Sequence, residues 1–213
     1  IINELTEASA ALNAGGAIET ADVLYAGNVD KWKKFANSLL LRAGMRLVKV
    51  DAAKAQSTVQ AAVAAGGGLI TTNADNAYMR HDPNYTQPIG NMLNGTEAAN
   101  FYLTKPFVDH LKNTNDPRLS AIAIRYVGAT SGNSQTPAVG STAPATQIGM
   151  PMGYDNGTIP ARATSDGLAS FYDYSQADRR RVAKNSAPIF FVTASQTNLL
   201  LAEARFRNFI TTG

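Results

Sequence analysis

Two stretches of the 213-residue chain concentrate the side chains that could grip a polar ligand. The first carries Tyr78, Arg80, His81, Asp82, Asn84 and Tyr85. The second carries Tyr154, Asp155 and Asn156, with Tyr172 and Tyr174 a little further on. A tyrosine ring offers an apolar face to a ligand's C–H groups. Amides and carboxylates exchange hydrogen bonds with a ligand's hydroxyls. Both stretches read as loops, where a rigid scaffold usually displays binding residues. The candidate ligand-binding set is therefore Tyr78, His81, Asp82, Asn84, Tyr85, Tyr154, Asp155, Asn156 and Tyr172. The same tyrosines can also be surface or packing residues.

Other chemistries find less support. Asn73, Asp75, Asn76 and Asp82 are oxygen donors that would suit calcium. They lack EF-hand spacing and a closing glutamate, so Asx turns are the expectation. His81 and His110 form no HExxH pattern, and the chain has no cysteine, so neither a metal site nor a cofactor is expected. Gly66-Gly67-Gly68 follows a helix and is not trailed by Lys-Ser/Thr, unlike a phosphate loop. No Gly-x-Ser-x-Gly elbow occurs. None of the 16 Asp and Glu sits in a recognisable catalytic context, and Glu203 lies in a core-like helix. No catalytic residue is assigned. The net charge of +3 is a weak basic bias, not a nucleic-acid footprint. The run Asp178-Arg179-Arg180-Arg181 reads as a solvated helix end or loop. No apolar run approaches the roughly 20 residues that span a bilayer.

The elements that must position these loops are mostly helical. Residues 2–14 carry Leu5, Ala8 and Leu12 at helical spacing, stopped by Gly15-Gly16. A helix is expected from Lys31 to Val50. One of its faces holds Trp32, Phe35, Ala36, Leu39, Leu40, Ala43 and Leu47, and the opposite face Leu41, Met45 and Val48. Two apolar faces mean a helix sandwiched between layers. Gly44 weakens a helix interior by about 1 kcal/mol relative to Ala, so close packing against a neighbour is expected there. Arg42 and Arg46 are expected to pair with buried carboxylates, and Lys31, Lys33 and Lys34 to form a solvated face. Asp51 can cap a second helix running to about Ala65, making an antiparallel hairpin of tetratricopeptide-repeat size. Residues 69–100 read as irregular. Thr104 with Pro106 starts a helix burying Phe107, Val108 and Leu111 and ending by Asn115. Residues 119–127 read as a strand and 188–192 as a buried extended piece. Thr193 and Gln196 offer a capping box for a last helix with Leu199, Ala202, Phe206, Phe209 and Ile210 on one face. The Gly-, Ser-, Thr- and Pro-rich segment 128–166 is a long loop, of the sort that is functional or disordered.

Four segments occur in an order that resembles the SusD-like (SusD/RagB) outer-membrane lipoproteins of Bacteroidetes. They are DKWKKFANSLLLRAGMRL (30–47), NDPRL (115–119), GMPMG (149–153) and PIFFVTASQTNLLLAEA (188–204). The resemblance implies a mainly α fold: a tetratricopeptide-like helical repeat scaffold with long irregular loops and a few short strands. It implies a non-catalytic, surface-exposed outer-membrane lipoprotein for nutrient uptake and polysaccharide utilisation. Such a protein holds an oligosaccharide, or a peptide, over a SusC-like TonB-dependent transporter. The family's lipid-anchoring cysteine is absent from this chain, and membrane attachment is expected only through such an anchor. Residues 1–213 are read as part of a single SusD-like domain, incomplete at both ends. Two alternatives stay open: a glycoside hydrolase on a helical scaffold, which needs two carboxylates about 5–10 Å apart, and a repeat scaffold that binds peptides or proteins.

Overall fold

The structure, a computed structural model, describes residues 1–12, 19 and 21–211. In chain order its elements are α1 (Ile2–Ala11), α2 (Val29–Arg46), α3 (Ala52–Ala64), β1 (Ala77–Met79), α4 (Pro88–Asn94), α5 (Lys105–Asn113) and α6 (Leu119–Ile122). They continue with β2 (Ala123–Tyr126), β3 (Gly140–Ser141), α7 (Ile159–Ser165), β4 (Gln176–Ala177), β5 (Ile189–Val192) and α8 (Ala194–Phe206). The chain divides into two compact units, one of Ile1–Arg80 with Pro188–Gly213 and the other of His81–Ala187.

The first unit is built around α2. Asn28 caps it by accepting from the Lys31 amide at 3.0 Å. Asp51 caps α3 by accepting from the Lys54 amide at 2.9 Å, as its position predicts. Helix α2 packs against α1, α3 and α8 and buries Ala36, Leu40, Leu41 and Met45, so the two-faced reading holds. Gly44 has the packing reason expected of it: a Cβ there would sit 3.1 Å from Thr58 and Val59, so α3 can lie close only because the side chain is missing. The core joins Leu40, Leu41 and Met45 to Val59, Ala62, Leu201 and Ala204. A second cluster, Ile70, Ala77, Val192 and Ala194, lies under the antiparallel pair β1–β5. The 188–192 extended reading is met by β5, but not its burial: only Val192 is buried, and Phe190 and Phe191 are exposed.

Several expectations for this unit are corrected. Among the described residues Arg42 pairs with no carboxylate; its guanidinium donates to the Phe191 carbonyl at 3.0 Å and to Gln196 Oε1 at 3.3 Å. Arg46 is exposed. Thr193 does cap α8, accepting from the Gln196 amide at 3.2 Å. The Gln196 side chain, however, turns to Arg42 instead of closing the box. Lys31 and Lys34 are not simply solvated: Lys31 donates to the Ala74 carbonyl and Lys34 pairs with Asp75 at 2.9 Å, clamping the 73–75 turn. Helix α8 buries Leu201 and Ala204, while Leu199 and Phe206 face solvent, Phe206 at 86% exposure. That helix carries apolar residues around most of its circumference, so periodicity alone does not choose a face. Phe209 and Ile210 do pack on the core. The Gly15-Gly16 stop lies outside the described residues.

The second unit is short elements joined by ordered loops. A three-stranded antiparallel sheet has the order β3-β2-β4. The expected strand over 119–127 begins only at Ala123, because the Asp116 carbonyl accepts from the Leu119 amide and starts the helical turn α6. Helix α5 buries Val108 and Leu111, but Phe107 is exposed. Segment 69–100, read as irregular, contains β1 and α4, both too short to show a period. Segment 128–166 carries β3, α7 and three single 3₁₀ turns.

Candidate functional site

Buried polar side chains fix the loops of the second unit. Arg125 pairs with Asp173 at 2.9 Å, both nearly buried, and also donates to the Thr146 carbonyl at 3.0 Å. Asp173 Oδ1 accepts from the Gly128 amide at 3.0 Å as well, so one ion pair ties three segments. Gln147, fully buried, donates to the Ser141 and Ala143 carbonyls and accepts from the Ser175 hydroxyl. In the GMPMG turn, a Cβ on Gly149 would stand 2.5 Å from Lys105 Cα. That close approach lets the chain bridge Thr104 to Met150 at the start of α5.

On this frame Tyr154 is displayed at 43% exposure. The Arg162 guanidinium lies 5.8 Å from its ring centre and donates to its hydroxyl at 3.3 Å. Arg162 in turn pairs with Asp166 at 2.9 Å, and Asp166 accepts from the Tyr174 hydroxyl at 2.7 Å. The hydrogen bond from Arg162 holds the Asp166 carboxyl below its ordinary range. Burial beside that carboxylate pushes the Tyr174 phenol up. Asp155 Oδ1 accepts from the Gly157 and Thr158 amides and the Thr158 hydroxyl, forming the turn before α7. Asn156 is exposed on that turn. Tyr172 is elsewhere: it stacks on Phe171 with ring centres 4.1 Å apart and packs against Ile124, Tyr126 and Ala129.

The other stretch is split between the units. In the first unit, Tyr78 on β1 pairs with Phe190 on β5, ring centres 5.5 Å apart, and Arg80 covers the Tyr78 ring at 5.0 Å. In the second unit, Asp82 Oδ1 accepts from the Asn84 and Tyr85 amides, an Asx turn. His81 Nδ1 donates to the Tyr85 carbonyl at 2.9 Å, and the Tyr85 ring is largely exposed. Among the described residues no cluster of His, Cys, Asp or Glu could hold a metal ion.

One feature of the second unit was not foreseen. A cavity of about 100 Å³ is lined by Leu93, Ala98, Phe101, Tyr102, Leu103, Gln176, Ala177 and Arg179. Phe101 stands at its edge with half its surface exposed. Gln176 is buried and donates to the Ala98 carbonyl at 3.1 Å, yet its Oε1 has no partner. Arg179 lies over the Tyr126 ring at 5.0 Å, and its Nε is buried without a partner. Burial pushes the Tyr102 phenol up to about 12, so it stays neutral. The run 178–181 is thus not simply solvated: Asp178 is fully buried and its amide donates to the Ile122 carbonyl at 2.7 Å. The adjacent aromatics Phe101-Tyr102, closing a polar stretch, were the available signal. Gln176 and Arg179 gave none, because they reach the cavity through the pairing of β4 with β2.

A family model described as "Starch-binding associating with outer membrane" matches residues 1–213. Comparison with curated proteins finds no match. Among solved structures, a chitin-binding protein is 25% identical with a TM-score of 0.76, covering 100% of this chain and 43% of that one. A SusD homologue from Bacteroides uniformis is 28% identical with a TM-score of 0.71, covering 95% of this chain and 38% of that one. A SusD-like protein from Bacteroidetes shares the fold at 20% identity and a TM-score of 0.74, covering 100% of this chain and 50% of its own length. The chain therefore spans about half or less of these structures. With the helical scaffold, the short strands and the four ordered segments all in place, the chain belongs to the SusD-like family.

Proposed function

We propose that the chain is the glycan-holding part of a non-catalytic outer-membrane protein that works with a SusC-like TonB-dependent transporter. The match of the whole chain to a family described as starch-binding carries this reading, with a chitin-binding protein among the similar structures. The geometry supports it through exposed rings on fixed frames: Phe101 beside its cavity, Tyr154 under Arg162, and the Tyr78–Phe190 pair. Tyr85 and Asn156 are exposed, each on its own turn, and His81, Asp82, Asn84, Asp155 and Tyr172 shape or support the loops of the second unit. A binding role is favoured over hydrolysis because the nearby carboxylates are engaged: Asp82 and Asp155 in turns, Asp166 with Arg162, Asp173 with Arg125. In this reading both units belong to one domain, the protein lies at the cell surface, and a lipid anchor outside this chain attaches it.

Calorimetric titration with α-linked (starch-type) and β-linked (chitin-type) oligosaccharides, with product analysis of the same mixtures, tests the proposal. Saturable binding without cleavage is the expected result. Turnover that is lost on replacing Asp82 or Asp155 would overturn the non-catalytic role, and absence of binding to any glycan would overturn the glycan reading. Co-purification with a large β-barrel protein tests the transporter partnership.

A further inference from the structure

We infer that Asn156 is a site of spontaneous covalent modification: its side chain cyclises onto the Gly157 nitrogen, sheds ammonia and reopens as aspartate or isoaspartate. Asparagine is among the thermolabile residue types. Its carboxamide carbon can close a five-membered ring with the next residue's amide nitrogen. A following glycine carries no Cβ to obstruct that closure. The chain has two such pairs, Asn94-Gly95 and Asn156-Gly157. By residue type they are equal, and the fold separates them. Asn156 is exposed, and among the described residues its side chain makes no hydrogen bond. A Cβ on Gly157 would meet no atom beyond its chain neighbours closer than Asp155 Oδ1 at 3.5 Å, so the approach to the nitrogen is open. The Gly157 N–H donates to that same oxygen at 3.0 Å, which draws the proton away and leaves more electron density on the nitrogen.

Asn94 is held instead. Its Nδ2 donates to the Gly90 carbonyl at 2.8 Å and to the Ala183 carbonyl at 2.9 Å, so the amide group that would have to leave is tied down. Asn94 is the last residue of α4, and the Gly95 N–H is turned back to the Met92 carbonyl at 3.2 Å. At Asn156 the exchange balances as follows. The Gly157 nitrogen bonds to Asn156 Cγ and gives up its proton. The Cγ–Nδ2 bond breaks, and that nitrogen leaves as ammonia with the proton. Water then opens the ring. Cleavage at Cγ gives aspartate, and cleavage at the main-chain carbonyl gives isoaspartate, whose backbone runs through the side-chain carbons. Both products add a negative charge beside Asp155. Isoaspartate also lengthens the chain between Asp155 and the Gly157 and Thr158 amides that its side chain holds. The turn between Tyr154 and α7 is then no longer closed in the same way.

The test is to age the full chain in warm, mildly alkaline buffer and to map its peptides by mass spectrometry, with isoaspartate read by enzymatic methyl transfer. In the folded chain, conversion at Asn156 should outrun that at Asn94 by about tenfold or more, the effect of breaking two net hydrogen bonds. In the urea-unfolded chain the two sites should convert at similar rates, because only the fold distinguishes them. Gly157→Ala, which the open space at that position accommodates, should slow conversion at residue 156 and suppress the isoaspartate product. Equal rates at the two sites in the folded chain overturn the inference. So does a folded chain in which Asn156 stays intact while both sites convert on unfolding. Conversion of Asn156 that yields aspartate alone and is indifferent to Gly157→Ala overturns the cyclic route, since direct hydrolysis of the side chain would then account for it.

Discussion

In the unit of Ile1–Arg80 and Pro188–Gly213, stability comes from apolar faces. Leu40, Leu41 and Met45 of α2 meet Val59 of α3 and Leu201 of α8, and Gly44 lets α3 lie close. In the unit of His81–Ala187, the apolar clusters are small and separate, and buried polar groups join them. Arg125–Asp173, Gln147 and Ser175 satisfy loop amides and carbonyls that no sheet or helix satisfies. The contrast shows two ways to keep backbone polar groups paired. A helix pairs its own, and its side chains are then free to be apolar. A loop cannot, so side chains must pair them. Loops of the second kind also turn rings outward, as at Tyr154 and Phe101, and on the proposed reading those rings meet the ligand.

This comparison can be broken most sharply at Asp173. Asp173→Ala strands the buried Arg125 charge and removes the acceptor for the Gly128 amide. A loss of about 3–5 kcal/mol is expected in urea unfolding. Leu41→Ala attacks the other unit where its faces meet and should cost about 2–5 kcal/mol through its cavity. If Leu41→Ala proves the more damaging by a wide margin, the polar clamp matters less than its burial suggests. Gly149→Ala should cost about 1–3 kcal/mol by pushing the Thr104–Lys105 backbone away, read as a lower melting midpoint. The smallest effect is electrostatic. Asp166 has a folded pKa lowered by Arg162. Its contribution is therefore complete above the ordinary aspartate value of about 3.9 and is lost as pH falls through the lowered one. The stability gap between the unaltered chain and Asp166→Asn should be constant near neutrality and close below about pH 4. A gap that persists in acid would show that packing, not charge, holds Tyr154 and Arg162.

Much of the first unit was legible because its signals are periodic and local. The two faces of α2, the Asp51 and Thr193 caps and the close approach at Gly44 all follow from spacing. Where the same rules failed, a long-range partner decided. Arg42 serves the Phe191 carbonyl, a residue 149 positions away. Lys34 answers Asp75, and α8 turns Leu201 inward instead of Leu199. In the second unit little was legible beyond α5 and the presence of β2, whose start was misplaced. Tyr154, Asp155 and Asn156 do share one turn, but Tyr172 packs against the sheet, and Tyr78 and His81 belong to different units.

The sequence by itself determined the helices, their caps, the small residues that allow close packing, and the four ordered segments that carry the family. These depend on neighbours within a turn or two, or on residue type alone. Tertiary structure alone decided which carboxylates are engaged, which rings face outward, and that Gln176 and Arg179 share a cavity with Phe101. Those facts depend on residues about 75 positions apart being placed within a few ångströms, by strand pairing and a buried ion pair that leave no period in the chain.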